Sequence, residues 1–307
     1  MSFRGAKFNQ IPTASQFGNQ QQFPAHQQFT QPKSQSSVSF NAKFEEYSKK
    51  VEDLLDVPAV QKIKPYVPQI GRFLIVATFY EDSWRIISQW SDQVFYLWNY
   101  RHIPYVLVIL LLLTCVTVMI GGSTLVVLKK HQLYASAALI GVIITQGIMY
   151  GLFVGTNFML RNLSLMGGLL IAFSDTLVKE KKRFAGLPEI STNNDYKNYV
   201  LLAGRILLMF MFVTFAVTKS WFTTIITFIG MAAILAGFKT RFACMVLITI
   251  LVFYNFGQNS YWYATSEAKR DYLKYEFYQT LSIIGGLLLV VNTGAGELSL
   301  DEKKKVY

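Results

Sequence analysis

The chain has 307 residues, 52% of them hydrophobic and only 15% charged, with a formal net charge of +11. Average proteins are about 25% charged. This composition excludes an ordinary soluble enzyme, and the basic excess reads as a membrane-orientation signal rather than as a nucleic-acid footprint.

Residues 1–43 are rich in Gln, Phe, Ser and Pro, carry no acid and show no apolar period. Such a stretch buries too little surface to offset its ordering entropy, so it reads as a disordered cytosolic tail. It has no apolar h-region, so no secretory leader is predicted and the first spanning helix acts as an uncleaved anchor. Phe44, Tyr47, Val51, Leu54 and Leu55 then fall at helical spacing with charges between them. They predict an amphipathic cytosolic helix within 44–66, stopped before Pro58.

Eight apolar segments follow, at 69–88, 103–127, 132–154, 159–174, 199–217, 221–237, 242–258 and 276–292. The second carries no charge over 25 residues, and about 20 apolar residues suffice to span a bilayer. The fold predicted is an all-α polytopic membrane protein of about eight transmembrane helices. With the amino terminus in the cytosol, Lys129, Lys130, Lys179, Lys181, Lys182, Arg183, Lys197, Lys239 and Arg241 fall on the cytosolic side. Arg101, Lys219, Lys269, Arg270 and Lys274 fall opposite. The bias supports cytosolic amino and carboxyl termini.

The segments repeat. NLSLMGGLLIAFSD (162–175) resembles TLSIIGGLLLVVNT (280–293), IGRFLIVATF (70–79) resembles AGRILLMFMF (203–212), and LYASAALIGVIIT (133–145) more weakly matches RFACMVLITILVF (241–253). A four-helix unit used twice has an even number of crossings, so the two copies are parallel. The organisation predicted is a first membrane repeat at 67–175, a cytosolic linker at 176–198, a second repeat at 199–293 and a cytosolic tail at 294–307. Gly147, Gly151 and Gly155 predict a smooth stripe on one helix, and Gly167–Gly168 and Gly285–Gly286 predict close helix packing.

The first segment ends in YEDSWRIISQW (80–90). Arg85 lies within helical reach of both Glu81 and Asp82, which leaves one acid in surplus in a half-buried cleft, a counter-charge for a ligand cation. The alternative is a satisfied structural ion pair. The second unit has Thr214, Phe215 and Thr218 at the matching places, so the polar site belongs to one half. Trp84, Arg161, Asn255, Glu276 and Tyr278 are placed at the same membrane level and complete the candidate ligand-binding set. Residues 257–279 read as a long aromatic and charged loop, either an interfacial belt or a peptide-binding surface. Asn162-Leu163-Ser164 matches a glycosylation sequon at the bilayer edge and is expected to stay unmodified. Cys115 and Cys244 lie in apolar runs and read as buried small hydrophobes. No catalytic triad, metal spacing or phosphate loop occurs, so the chain reads as a binding protein, not an enzyme, without cofactor or metal.

YEDSWRIISQWSDQ (80–93), LRNLSLMGGLLIAFSD (160–175), DYLKYEFYQTLSIIGGLLLVV (271–291) and ELSLDEKKKVY (297–307) together resemble the fungal branch of the surfeit locus protein 4 family of endoplasmic-reticulum cargo receptors. The likeness runs from about Lys62 to the end. It implies a receptor that binds soluble secretory proteins in the lumen through short apolar segments, enters COPII vesicles, releases cargo in the early Golgi and returns. Lys304 and Lys305, at positions −4 and −3 from the carboxyl terminus, then form the dilysine signal read by the COPI coat. Membrane lipids are the other expected partners, and self-association is left open. The rival reading is a phospholipid scramblase or small-molecule transporter of the ER membrane. A third, an oxidoreductase component on a distant likeness to DoxX-like proteins, lacks redox cysteines and haem-ligand histidines.

Overall fold

The computed structural model describes residues 64–152, 155–181, 192–218 and 221–294, with Glu46, Lys62, Gly296 and Ser299. The tail at 1–43, nearly all of the amphipathic segment at 44–66, and Lys304 and Lys305 lie outside the described residues. Residues 1–46 and 47–307 are separate units, and the helical bundle belongs to the second.

Every regular element described is helical, with no strand among the described residues. Helix α1 spans Val67–Ser88, the short α2 Trp90–Phe95, α3 Tyr105–Leu128, α4 Gln132–Tyr150, α5 Thr156–Lys181, α6 Thr192–Thr218, α7 Trp221–Ala236, α8 Thr240–Gln258 and α9 Glu267–Thr293. A π-turn at Tyr96–Tyr100 follows α2, and a 3-10 turn at Tyr261–Tyr263 precedes α9. By length and composition, α3, α4, the Tyr196–Val213 stretch of α6, and α8 with its following turn (Thr240–Tyr263) are apolar enough to cross a membrane.

The remaining long helices owe their place to packing. The most extensive contacts are α5 on α6 and α9 on α1, and α5 also packs on α9. These four helices form the inner bundle. Arg72, Glu81, Asp175, Arg205 and Glu276 of these helices are buried against protein, so the helices need less hydropathy than α3 or α4, which show apolar side chains such as Leu110, Leu113 and Ile148 outward. Glycines permit the inner contacts. A Cβ at Gly167 would stand 2.5 Å from the Leu208 amide nitrogen and 2.7 Å from the Gly204 carbonyl. A Cβ at Gly285 would stand 2.5 Å from the Gly71 carbonyl and 2.8 Å from the Ile75 amide nitrogen. Beside them, the Ser164 hydroxyl donates to the Leu208 carbonyl at 2.6 Å and the Ser282 hydroxyl to the Leu74 carbonyl at 3.0 Å.

Two arginines are sealed inside this bundle. Arg72 of α1 is fully buried and pairs with Asp175 of α5. Arg205 of α6 is also fully buried, but its Nη1 donates to the Ile234 carbonyl at 3.2 Å, at the end of α7.

Three expectations need correction. The stripe of Gly147, Gly151 and Gly155 does not form, because α4 stops at Tyr150 and Gly151 takes φ +67° as its left-handed cap. The Arg101 side chain receives the end of that helix, its Nε donating to the Met149 carbonyl at 2.8 Å. The loop predicted at 257–279 is short, because α9 begins at Glu267 and carries the rest as helix. The linker at 176–198 is helical at both ends, with α5 reaching Lys181 and α6 starting at Thr192. Cys115 and Cys244 are buried free thiols, as expected.

Candidate functional site

The charged end of α1 meets the polar first half of α9. Arg85 Nη2 donates to Asp82 Oδ1 at 2.6 Å, one helical turn back, and Arg85 Nη1 lies 3.9 Å from Glu81 Oε2. From α9, Lys274 Nζ comes within 3.5 Å of Glu81 Oε1. The surplus acid inferred from the sequence is therefore not surplus: Glu81 and Asp82 face Arg85 and Lys274. A ligand cation at this site competes with Lys274 for Glu81 instead of filling a vacancy.

Around these four charges lie further links between helices. Arg161 of α5 pairs with Glu276 of α9. The Gln89 side-chain amide donates to Asp271 at 2.8 Å, and the Gln279 amide donates to the Tyr275 hydroxyl at 2.8 Å. Tyr150 at the end of α4 donates to Gln93 of α2 at 2.6 Å. The Arg85 guanidinium sits 5.6 Å from the Tyr275 ring centroid, and Phe158 stacks on Tyr275 from α5. A guanidinium held by a carboxylate and an aromatic face loses little freedom when a ligand arrives.

The helix α1 separates two concavities. On one side is a polar chamber of about 180 Å³, lined by Asp82, Arg85, Gln93, Tyr150, Asn162 and Tyr275 among others. On the other is a larger groove of about 530 Å³ between α1 and α9, lined by Phe73, Ala77, Trp84, Tyr278 and Leu281 with Glu81 and Lys274. The chamber offers donors and acceptors in opposed pairs, which suits the recognition of a short polar or charged end.

Of the predicted set, Glu81, Asp82, Trp84, Arg85 and Tyr278 line one or other concavity, and Arg161 and Glu276 pair beside them. Asn255 does not join them. It is fully buried, its amide donates to the Phe277 carbonyl at 3.1 Å and its oxygen accepts from Asn259 at 2.9 Å, which tethers the end of α8 to α9. The aromatic residues of the connection are partly structural too. Tyr261 and Trp262 pack on Phe277 with centroids 5.6 and 5.9 Å apart, while Tyr263 stays 82% exposed. The sequon is in helix, with Asn162 donating to the Phe158 carbonyl at 3.0 Å and Ser164 buried. The side chains of Thr214, Phe215 and Thr218 lie outside the described residues.

Sequence reasoning missed Lys274, Tyr275, Tyr150 and Gln93. The only available signal was phase: Asp271, Lys274, Tyr275 and Tyr278 repeat at helical spacing once α9 is extended to Glu267.

A family model described as the SURF4 family matches residues 45–307. The ER-derived vesicles protein ERV29 of Saccharomyces cerevisiae is 49% identical over the whole of both chains. The Surfeit locus protein 4 homolog of Schizosaccharomyces pombe is 45% identical over 79% of this chain and 83% of its own. The homolog of Drosophila melanogaster is 34% identical over 85% of this chain and 98% of its own. No solved structure matches.

Proposed function

Because the chain belongs to the SURF4 family, we propose that it is a receptor that carries soluble secretory proteins out of the endoplasmic reticulum in vesicles. The observation that carries this reading is the full-length likeness to a protein named for ER-derived vesicles. The opposed charges at the end of α1 fit the binding of a polar or charged group.

In this reading the chain crosses the membrane eight times as two parallel four-helix units. The chamber and the groove face the lumen, and both termini are cytosolic. Cargo engages through short apolar segments, with an amine or other cation of the cargo drawn to Asp82 of the chamber in exchange with Arg85. COPII loads the receptor outward, and COPI returns it through Lys304 and Lys305. The matching glycine contacts of α5 on α6 and of α9 on α1 support the duplication.

The test tracks secretion of soluble and membrane cargoes in cells lacking this protein, rescued by wild type or by Lys304→Ser/Lys305→Ser. The expected result is selective retention of soluble cargo without the protein, and drift of the tail variant to the Golgi or beyond. Normal soluble traffic with altered lipid distribution would overturn the receptor reading in favour of a scramblase.

A further inference from the structure

We infer that the groove between α1 and α9 is a binding site for one phospholipid with a primary ammonium headgroup, held by Glu81 and Lys274. The site lies across α1 from the polar chamber, and the inference does not rest on the cargo reading.

The layout of the groove carries the inference. Phe73 and Trp84 mark its two ends along α1, and eleven residues of helix rise about 16 Å, half of a hydrocarbon core roughly 30 Å thick. The groove is thus one leaflet tall. Its deep end is apolar, with Phe73, Ala77 and Leu281, and its charges, Glu81 and Lys274, are at the other end beside Trp84 and Tyr278. A tryptophan 64% exposed at that level is where a headgroup boundary places one. Ile70, Phe73, Trp84 and Ile87 are exposed along this face of α1, an apolar flank that hydrocarbon covers without cost. The volume of about 530 Å³ falls within the usual range for a small-molecule site.

The charges select the headgroup. Glu81 is 5% exposed and its Oε2 has no hydrogen-bond partner among the described residues. Its Oε1 has Lys274 at 3.5 Å, a loose contact that leaves the ammonium of Lys274 with donors to spare. A zwitterionic lipid answers both: its ammonium donates to Glu81 and its phosphate accepts from Lys274. A primary ammonium has N–H groups to donate, which a choline headgroup lacks, and an anionic glycerol headgroup would meet Glu81 as a like charge.

The test extracts the full-length chain from vesicles of equal phosphatidylethanolamine, phosphatidylcholine and phosphatidylglycerol, without cargo, and measures retained lipid by native mass spectrometry. Wild type is expected to retain phosphatidylethanolamine about tenfold over the other two, the value of one hydrogen bond to a charged group. Glu81→Gln and Lys274→Met should each remove that preference, and Phe73→Ala should weaken retention of all three lipids. Lys269→Met, a charge change on the exposed first turn of α9, should leave it intact. Gel filtration confirms that each variant is folded, and Glu81→Gln/Lys274→Met keeps the net charge should either single variant fail to fold. Retention that ignores the headgroup would overturn the inference. So would displacement of the lipid by a cargo leader peptide, which would assign the groove to cargo.

Discussion

Arg72 and Arg205 occupy matching places in the aligned sequences of α1 and α6 and are both fully buried, yet Arg72 pairs with Asp175 while Arg205 donates to the Ile234 carbonyl. At the place in α9 that matches Asp175 in α5 stands Thr293, whose hydroxyl donates to its own helix at Leu289. Among the described residues no carboxylate reaches Arg205. The same contrast recurs at the other end of the helices, where α1 ends in Glu81, Asp82 and Arg85 and α6 in Thr214, Phe215 and Thr218. The end of α1 concentrates charge that the matching stretch of α6 lacks in sequence, and its partner Lys274 comes from α9. The glycine contacts are nevertheless alike in both, so the backbone framework and the polar chemistry have separate determinants.

The sharpest way to break this comparison is at Arg72. Asp175→Asn leaves a buried guanidinium uncompensated and should cost about 3–5 kcal/mol, read as thermal unfolding in detergent. Arg72→Met/Asp175→Leu should recover most of that loss, since both charges leave together. In the second half, Thr293→Asp should supply the missing carboxylate and raise stability by about 3 kcal/mol through pairing with Arg205. An unchanged or lower transition would show that the two arginine sites differ in geometry as well as in partner.

A smaller effect tests what the halves share. Gly167→Ala and Gly285→Ala each place a Cβ 2.5 Å from backbone atoms of the facing helix, and each should cost about 1–3 kcal/mol. Gly121→Ala, with nothing within 4 Å, should be nearly neutral. The smallest effect belongs to the serines. Ser164→Ala and Ser282→Ala remove one hydroxyl donor each and should cost about 1 kcal/mol, in equal measure if the contacts are equivalent.

How much of the fold and site was legible depends on where the information lies. The runs in α3 and α4 are long, continuous and apolar, so composition alone marks them. The paired GG spellings marked the inner contacts because close approach leaves a residue-type signal, whereas the GR stretches were read only as a repeat match and their buried arginines were not foreseen. The first half of α9 was read as loop because its Lys, Arg, Asp and Tyr residues suit a surface, and only contact with α1 makes that stretch an interhelical face. Lys274 could not be matched to Glu81 for the same reason: 193 positions separate them, and no local spacing records a tertiary ion pair. Asn255 was misread because a polar residue at the end of an apolar helix looks alike whether it awaits a ligand or ties down a connection.

The central claim is that the charged end of α1 recognises cargo. It is tested most directly by measuring the affinity of the purified protein for a leader peptide of a soluble secretory protein, comparing wild type with Asp82→Asn, Glu81→Gln and the neutral Gly121→Ala. The account predicts that at least one of the two acid variants weakens binding by about tenfold or more, the value of one charge-assisted contact, with Gly121→Ala unchanged. Wild-type affinity in both acid variants, each shown to be folded, would contradict it.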